Sequence, residues 1–534
     1  MDAGIPRTGW QTMSMVDTST AQERWRELHA AFARQLQSSL HLRESSGTPA
    51  PARPDERLVQ AVWADRMYRA EELTTASGKH VEVLEPGRWN TGRGPDFLGA
   101  RLRVAGETLH GDVEIHVDSS GWTRHGHHQD FEYNRVVLHA VLEAGDDRPY
   151  EEKQNGERLE RLVLRPHLEP DLETIRQTVN VSDYPYGRPE DLGLCHEEFL
   201  RLPEEQLTEF LTLSGTARLE QKLARLRAQR RSAPFAQLIH QALLTGQGFR
   251  SSKTLYFLLS KRVPFEELLS HMKDVPAGER VDLCFAALVY TARLVPEQRD
   301  IVDEAAPCEE TAAFMARLKR HWRRLRPYFS DRLLPPTKRW YAGMRPAGFP
   351  TRRLAAVAVL LGRLADPDRP LFTRLAAQVR ESKPSSLGAK ELRAFWKKLA
   401  EPLIVAGEDH YFGSRFTFGG KKGRQTALLG EPAARSLLFN TFLPLLVLQA
   451  EEDRDRRLAN NAWDAMRCFP VLERNSVSRF MDRRLFGEAG APRGLDKREL
   501  YQQALLKVFA DCCAHNERSC SDCTFLSLSC WGAG

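Results

Sequence analysis

The spacing of apolar positions changes character along the chain. A helical pattern, ERLVQAVWADRMY, begins at Glu56, and three segments with strand-like alternation follow it: HVEVLEPG, PDFLGARLRV and ETLHGDVEIHV. After a histidine-rich loop come a short helical segment, DFEYNR, and another strand, VVLHAVLEA. This order of helix, three strands, helix and strand predicts a compact α/β domain over residues 55–166.

The chain beyond this domain is almost wholly helical in pattern. Apolar residues at helical spacing recur in segments such as FAQLIHQALLTG, RRLAAVAVLLGRLA and ARSLLFNTFLPLLVLQ. They predict a large helical domain over 203–490, reached through a linker over 167–202. A Ser/Pro-rich stretch ends a flexible N-terminal segment, 1–54, and a helix with a cysteine cluster occupies 491–534. The predicted fold class is α+β and mostly α.

The overall composition is that of an ordinary soluble protein. Of 534 residues, 42% are hydrophobic and 28% are charged, and the net charge of +6 is too small to indicate a nucleic-acid partner by itself. No apolar run reaches the roughly 20 residues of a membrane span, and the N-terminus lacks the pattern of a secretory signal. We therefore expect a cytoplasmic protein with no membrane association.

The third predicted strand has one polar and one apolar face. Side chains alternate along a strand, so Val113, Ile115 and Val117 share the apolar face. The polar face consists of Asp112, Glu114, His116 and Asp118. Carboxylates placed side by side repel unless a cation compensates them, and hard oxygen ligands suit Mg²⁺ or Mn²⁺. The alternative is an acidic face that is solvated or paired with nearby arginines, namely Arg88, Arg93 and Arg101.

The second and third strands are expected to form a hairpin. A three-residue loop over 105–107 would set Asp96 opposite His116 and Leu98 opposite Glu114. This register would bring Asp96 to the polar face of the third strand.

The segments GPDF and VEIH, separated by this hairpin, resemble the motif of the PD-(D/E)XK nuclease superfamily. The resemblance implies a restriction-endonuclease-like core in which Asp96 and Glu114 hold a divalent metal ion. The main-chain carbonyl of Ile115 and a carboxylate of the first helix, Glu56 or Asp65, would complete the set of ligands. His116 stands where the superfamily has a lysine; a neutral imidazole is suited to accept a proton or to bind metal.

The loop that follows the third strand supplies further candidate ligands. His125, His127 and His128, with Asp130, are residue types that bind transition metals, but neutral imidazoles in a loop can equally bond the backbone or contact phosphate. His139 lies within an apolar strand and is interpreted as a hydrogen-bonded core residue. Asp112 and Glu56 are the remaining accessory candidates.

Over most of its length the chain resembles the bacterial family of unknown function numbered 2851. The resemblance extends from about Glu56 to the C-terminus, and it assigns no activity. It is carried by EPGRWNTGRGPDFLGARL, GDVEIHVDSSGWTRHGHHQDFEYNRVVLHAV, RLEQKLARL, RPAGFPTRRLAAVAVLL and LLFNTFLPLL.

Five of the nine cysteines lie in the last 23 residues. Four of them, Cys513, Cys520, Cys523 and Cys530, have the spacing C-x6-C-x2-C-x6-C, which resembles the cluster loop of endonuclease III-type DNA glycosylases with one extra residue. Four thiolates can close around a [4Fe-4S] cluster or a Zn²⁺ ion, and free thiols are the alternative. Either centre would be structural, because four thiolates leave no open coordination position.

Basic residues concentrate in the helical region, above all in ARLKRHWRRLRPYF. Its candidate contacts to nucleic acid are Lys319, Arg320, Arg323 and Arg324, with Trp322 placed to stack on a base. A solvated helix face with acidic partners explains the same run.

Together these patterns predict a metal-dependent nuclease acting on DNA or RNA. The alternative is a non-catalytic scaffold that binds nucleic acid or protein and keeps a nuclease-like fold. A third interpretation is a metallohydrolase that acts on a small substrate through His116 and the histidines of the loop.

Overall fold

The computed structural model describes residues 55–185, 192–193, 195–201, 203–248, 252–296, 308–341, 344–408, 410–488, 490 and 494–513. The predicted N-terminal segment lies outside these residues. By packing, the described residues of Tyr186–Arg225 and Arg467–Gly534 form one compact unit, and those of Pro51–Pro185 and Leu226–Met466 form a second. This grouping follows contacts rather than chain order, and the domain boundaries expected from the sequence stay predictions.

A mixed seven-stranded sheet organises the first part of the second unit. The strands are β1 Val81–Glu85, β2 Arg88–Trp89, β3 Phe97–Val104, β4 Glu107–Asp118, β5 Val136–Glu143, β6 Tyr150–Glu152 and β7 Arg158–Val163. Their order in the sheet is β1-β3-β4-β5-β7-β6, and β2 pairs with β3 beside β1. β1, β3 and β4 are antiparallel neighbours, whereas β5 runs parallel to both β4 and β7. Mixed α/β structure is thus confirmed, with β2, β6 and β7 added to the predicted strands.

The β3–β4 hairpin differs from the predicted register by one residue at the turn and by two residues at Asp96. Its turn contains two residues, Ala105 and Gly106, whose φ angles of 49° and 89° are those of a type I′ turn. Phe97 lies opposite Val113, so Asp96 comes beside Glu114 and not His116. A bulge at Gly99, where φ is 67°, separates this pair from the regular ladder nearer the turn. The predicted register was therefore wrong, because it assumed a three-residue loop and no bulge.

One face of the sheet packs against helix α1, Glu56–Ala64. Asp55 begins the helix by accepting a hydrogen bond from the Arg57 main-chain N–H at 3.1 Å. Val113 and Ile115 of β4 pack in one core with Trp63 of α1, as the alternation along the strand predicts. The polar side chains of β4 consequently project from the opposite face.

The connection from β4 to β5 covers that opposite face. It contains helix α2, Gly121–Arg124, and two 3₁₀ turns, His127–Gln129 and Phe131–Arg135, the second of which coincides with the predicted short helical segment DFEYNR. Trp122 and Tyr133 from this connection form a small core with Val136 and Leu159. The polar face of β4 is therefore enclosed by the histidine-rich segment that follows it.

The rest of the described chain is helical, as predicted. Two helices, Glu431–Leu437 and Leu443–Glu452, are joined by a π turn at Leu438–Phe442 and form a stretch, Glu431–Glu452, with the length and mean hydropathy (1.3) of a membrane span. Within this stretch, 72% of the most apolar 18-residue segment is buried, as in the core helix of a soluble protein. The helices are α3 Leu172–Thr178, α4 His196–Arg201, α5 Glu204–Arg230, α6 Phe235–Thr245, α7 Lys253–Arg262, α8 Phe265–Lys273, α9 Arg280–Thr291, α10 Glu309–Phe329, α11 Pro350–Leu364, α12 Leu371–Glu381, α13 Ala389–Ala400, α14 Glu431–Leu437, α15 Leu443–Glu452, α16 Arg456–Cys468, α17 Ser476–Phe486 and α18 Glu499–Val508.

Candidate metal centre

Asp96 and Glu114 are interlocked at the start of β3. The main-chain N–H of Asp96 donates to Glu114 Oε2 at 3.0 Å, and Asp96 Oδ2 accepts from the main-chain N–H of Ile115 at 3.0 Å. Glu114 is only 3% exposed, whereas Asp96 is half-buried. The corrected register thus brings together the two carboxylates that the sequence motif singles out.

Helix α1 contributes Gln60 to this pair. Gln60 Nε2 donates to Asp96 Oδ1 at 2.9 Å, and its buried Oε1 lacks a hydrogen-bond donor within the described part of the chain. Glu56 lies one turn earlier on the same helix face and is half-buried. Asp65 caps the end of α1 and accepts a 2.6 Å hydrogen bond from Tyr184. Sequence reasoning considered only carboxylates on this helix and so missed Gln60.

His116 is fully buried beside Glu114. Its Nδ1 lies 2.8 Å from His139 Nε2, and its Nε2 lies 3.0 Å from His125 Nδ1. Burial, followed by the neighbouring imidazoles, lowers the pKa of His116 well below its usual value, so the ring is neutral near pH 7. Gly121 makes room for this ring, since a Cβ at that position would lie 2.4 Å from His116 Cδ2.

Three imidazoles form what we call the histidine cluster: His116, His125 and His127. One ring nitrogen from each lies within 4.8 Å of those of the other two. Glu114 Oε1 adjoins the cluster, 3.0 Å from His127 Nε2 and 3.7 Å from His116 Nε2. His116 and His127 are buried and His125 is exposed.

Two of the other loop candidates have separate positions. His128 is half-buried and is not one of the three cluster members. Asp130 accepts a hydrogen bond from the main-chain N–H of Glu132 at 2.9 Å and so caps the 3₁₀ turn that follows.

A buried polar chain extends from His116 away from Glu114. His139 Nδ1 lies 3.2 Å from Glu151 Oε1, and Arg161 donates to that same oxygen from Nε at 2.9 Å and from Nη2 at 2.6 Å. His139 is buried and hydrogen-bonded, as the sequence indicated. Glu151 and Arg161 were missed, because their strands reach this place through the parallel pairing of β5 with β7 and the antiparallel pairing of β7 with β6.

The remaining acidic residues of β4 are held by local contacts. Asp112, 5% exposed, accepts from the main-chain N–H of Gly99 at 2.9 Å, with the exposed Arg135 at 3.9 Å. Asp118 accepts from the Ser120 main-chain N–H at 3.0 Å. Asp112 and Glu114 are thus buried, which rules out the simple alternative of a solvated acidic face.

The C-terminal cysteine centre falls largely outside the described residues. Cys513 is buried at the end of a π turn, Phe509–Cys513, that follows α18. Cys520, Cys523 and Cys530 lie beyond the described residues. The metal centre expected there stays a prediction.

The basic helix α10 is partly paired with acidic residues of its neighbours. Arg320 lies 3.5 Å from Glu279, and Arg324 lies 3.0 Å from Asp274. Trp322 stacks in parallel on Tyr290 with ring centroids 4.9 Å apart. Lys319 and Arg323 are exposed. Arg320 and Arg324 are exposed as well, so all four basic side chains are accessible to solvent.

Comparison with known proteins gives a family match. A family model described as "Protein of unknown function (DUF2851)" matches residues 56–476, which include the sheet and most of the helices. The match ends short of the C-terminus, to which the sequence motifs extended the resemblance. No curated protein and no solved structure matches the chain significantly.

Proposed function

Because the chain belongs to the family of proteins of unknown function DUF2851, whose description names no activity, we propose its function from the site: metal-dependent hydrolysis of phosphodiester bonds in DNA or RNA. The observation that carries the proposal is the reciprocal hydrogen bonding of Asp96 with the Glu114–Ile115 segment. It fixes two carboxylates at adjacent positions of a rigid hairpin, as a metal-dependent nuclease requires.

The donor atoms present here fit a divalent ion. Asp96 and Glu114 supply hard carboxylate oxygens, and the unsatisfied Oε1 of Gln60 is a neutral oxygen beside them. Oxygen donors of this kind suit Mg²⁺ or Mn²⁺. A bound ion would polarise the scissile phosphate and lower the pKa of a water molecule.

Other side chains are assigned the roles of positioning, proton exchange and phosphate binding. His116 is fully buried and engaged with two other imidazoles, so it acts as a positioning residue rather than the proton acceptor. His125 is exposed and bonded to His116, which makes it the imidazole that can exchange a proton with water. Lys319 and Arg323 are the proposed phosphate contacts, because both are exposed on a basic helix.

The test is cleavage of labelled single- and double-stranded DNA and RNA by anaerobically purified protein in Mg²⁺, Mn²⁺ or EDTA. We expect metal-dependent cleavage that Asp96→Asn and Glu114→Gln each abolish while circular dichroism shows an unchanged fold. Glu107→Gln, an exposed carboxylate at the start of β4, is the matched control and should retain activity. Cleavage that persists in both site variants would refute the proposal.

The non-catalytic scaffold is favoured by one specific observation. In place of a cationic lysine the site has a buried imidazole whose pKa is lowered, so it offers no positive charge to the reacting phosphate. If every substrate survives while the protein still binds nucleic acid in a salt-dependent manner, this alternative replaces the nuclease.

We also propose that Cys513, Cys520, Cys523 and Cys530 hold a [4Fe-4S] cluster or a Zn²⁺ ion with a structural role. Iron, sulfide and zinc content of anaerobically purified protein distinguishes the two centres. Absence of all three would leave free thiols.

A further inference from the structure

The direction of each hydrogen bond in the buried polar chain can be assigned from its far end. Arg161 is fully buried and donates twice to Glu151 Oε1, so this oxygen acts only as an acceptor. His139 Nδ1, 3.2 Å from the same oxygen, must therefore carry the proton. In a neutral imidazole that carries its proton on Nδ1, Nε2 has a lone pair and accepts a hydrogen bond.

The assignment then passes to His116. Since His139 Nε2 can only accept, His116 Nδ1 at 2.8 Å is the donor. A neutral imidazole has one N–H, and His116 has used it, so its Nε2 presents a lone pair to the histidine cluster. This is the arrangement by which proteins orient a metal-binding histidine: one ring nitrogen is hydrogen-bonded to a supporting group, and the other is directed at the ion.

The atoms around that lone pair have the spacing of metal ligands. His116 Nε2 lies 3.0 Å from His125 Nδ1 and 3.7 Å from Glu114 Oε1, and Glu114 Oε1 lies 3.0 Å from His127 Nε2. Tetrahedral ligands at about 2.0–2.1 Å from an ion are separated by about 3.3 Å. These three separations bracket this value, and all three imidazoles have a ring nitrogen within 4.8 Å of the other two, so a small rotation of the exposed His125 ring would complete the set.

We propose that Glu114, His116, His125 and His127 bind one transition-metal ion, with His139, Glu151 and Arg161 holding His116 in the binding tautomer. Three imidazoles and one carboxylate favour Zn²⁺ or Fe²⁺ over Mg²⁺. Glu114 turns Oε2 to Asp96 and Oε1 to the imidazoles, so this site adjoins the carboxylate pair and shares Glu114 with it. The inference stands on ligand geometry and does not depend on the proposed cleavage reaction.

The test uses full-length protein that has been freed of metal with a chelator and titrated with Co²⁺, whose visible spectrum reports its ligands. We expect a band from tetrahedral nitrogen and oxygen ligation that Zn²⁺ displaces. His125→Ala, which removes an exposed ligand, should eliminate this band, and His128→Ala is the matched control that should keep it. The C-terminal cysteines are the same in all these proteins, so the difference isolates the histidine cluster.

His139→Phe tests the supporting chain, because it removes the acceptor of the His116 proton without touching a ligand. We expect metal affinity about 10–100-fold weaker, the usual effect of losing such a supporting group. Unchanged Co²⁺ binding in His125→Ala, or no binding by the wild-type protein, would overturn the metal site. Unchanged affinity in folded His139→Phe would overturn the role of the supporting chain.

The same preparations separate this inference from the proposed nuclease. Co²⁺ binding without cleavage of any substrate would preserve the metal site and reject the nuclease. Mg²⁺-dependent cleavage by a protein that never binds Co²⁺ at the cluster would preserve the nuclease and reject the metal site.

Discussion

Arg161 offers a stringent test of the buried polar chain, because it is fully buried and compensates Glu151. Replacing it with methionine keeps most of its volume but leaves Glu151, 2% exposed, as a buried carboxylate with no cation. Removing one partner of a buried ion pair costs about 3–5 kcal/mol. We expect Arg161→Met to lower the free energy of unfolding by that amount, measured by urea denaturation in EDTA.

Arg148 supplies the matched control. Both arginines contact Asp146, Arg148 at 2.6 Å and Arg161 at 2.7 Å, but the Arg148 side chain is 59% exposed. Exposed ion pairs contribute about 0–1 kcal/mol, so Arg148→Met should have little effect. Adding Glu151→Gln to Arg161→Met should recover much of the lost stability, because it removes the uncompensated charge.

The effect of Arg161→Met should also depend on pH. In the wild-type protein burial raises the pKa of Glu151, but His139 and Arg161 outweigh this, and the net shift is downward. Its stabilising contribution is present above the ordinary pKa of a glutamate and is lost in acid as pH falls through the lowered value. Without Arg161 the folded-state pKa rises, so the variant is most penalised at neutral pH and the two proteins converge in acid. Equal losses for Arg161→Met and Arg148→Met at pH 7 would refute the argument.

Three further predictions concern other buried groups. Gly121→Ala places a Cβ 2.4 Å from the ring of His116, so we expect a loss of about 1–3 kcal/mol in urea denaturation; an unchanged midpoint would contradict the close approach. Arg352 donates hydrogen bonds to four acceptors of the loop over 412–427, and Arg352→Met removes all four. Each acceptor that is left buried and unsatisfied should lower the free energy of unfolding by about 1–3 kcal/mol. We therefore expect limited proteolysis to cut this loop faster in the variant. Burial lowers the pKa of His240 and of His410 to about 4, so unfolding free energy should decrease as pH falls from about 6.5 to about 4. Replacing both histidines with asparagine should flatten that slope, and an unchanged slope would count against their burial in the neutral form.

The sequence by itself determined which residues of β4 face the core and which face the site. Successive side chains of any strand point to opposite faces of the sheet. Once this segment forms a strand, the side chain of Ile115 therefore points to one face and those of Glu114 and His116 point to the other. The apolar core with Trp63 and the burial of His139 followed from the same local pattern. The spacing of apolar residues likewise predicted the order of the first helix and of the four strands that surround the site.

Tertiary structure decided which groups meet. The two-residue turn and the bulge at Gly99 each shift the β3–β4 register by one residue, and together they change the partner of Asp96 from His116 to Glu114. Gln60 reaches Asp96 only because α1 packs across the sheet. Glu151 and Arg161 reach His139 only because β5, β6 and β7 are aligned side by side. These contacts join residues far apart in the chain, and no local periodicity records them, since strand register and pairing are set by the packing of the whole sheet.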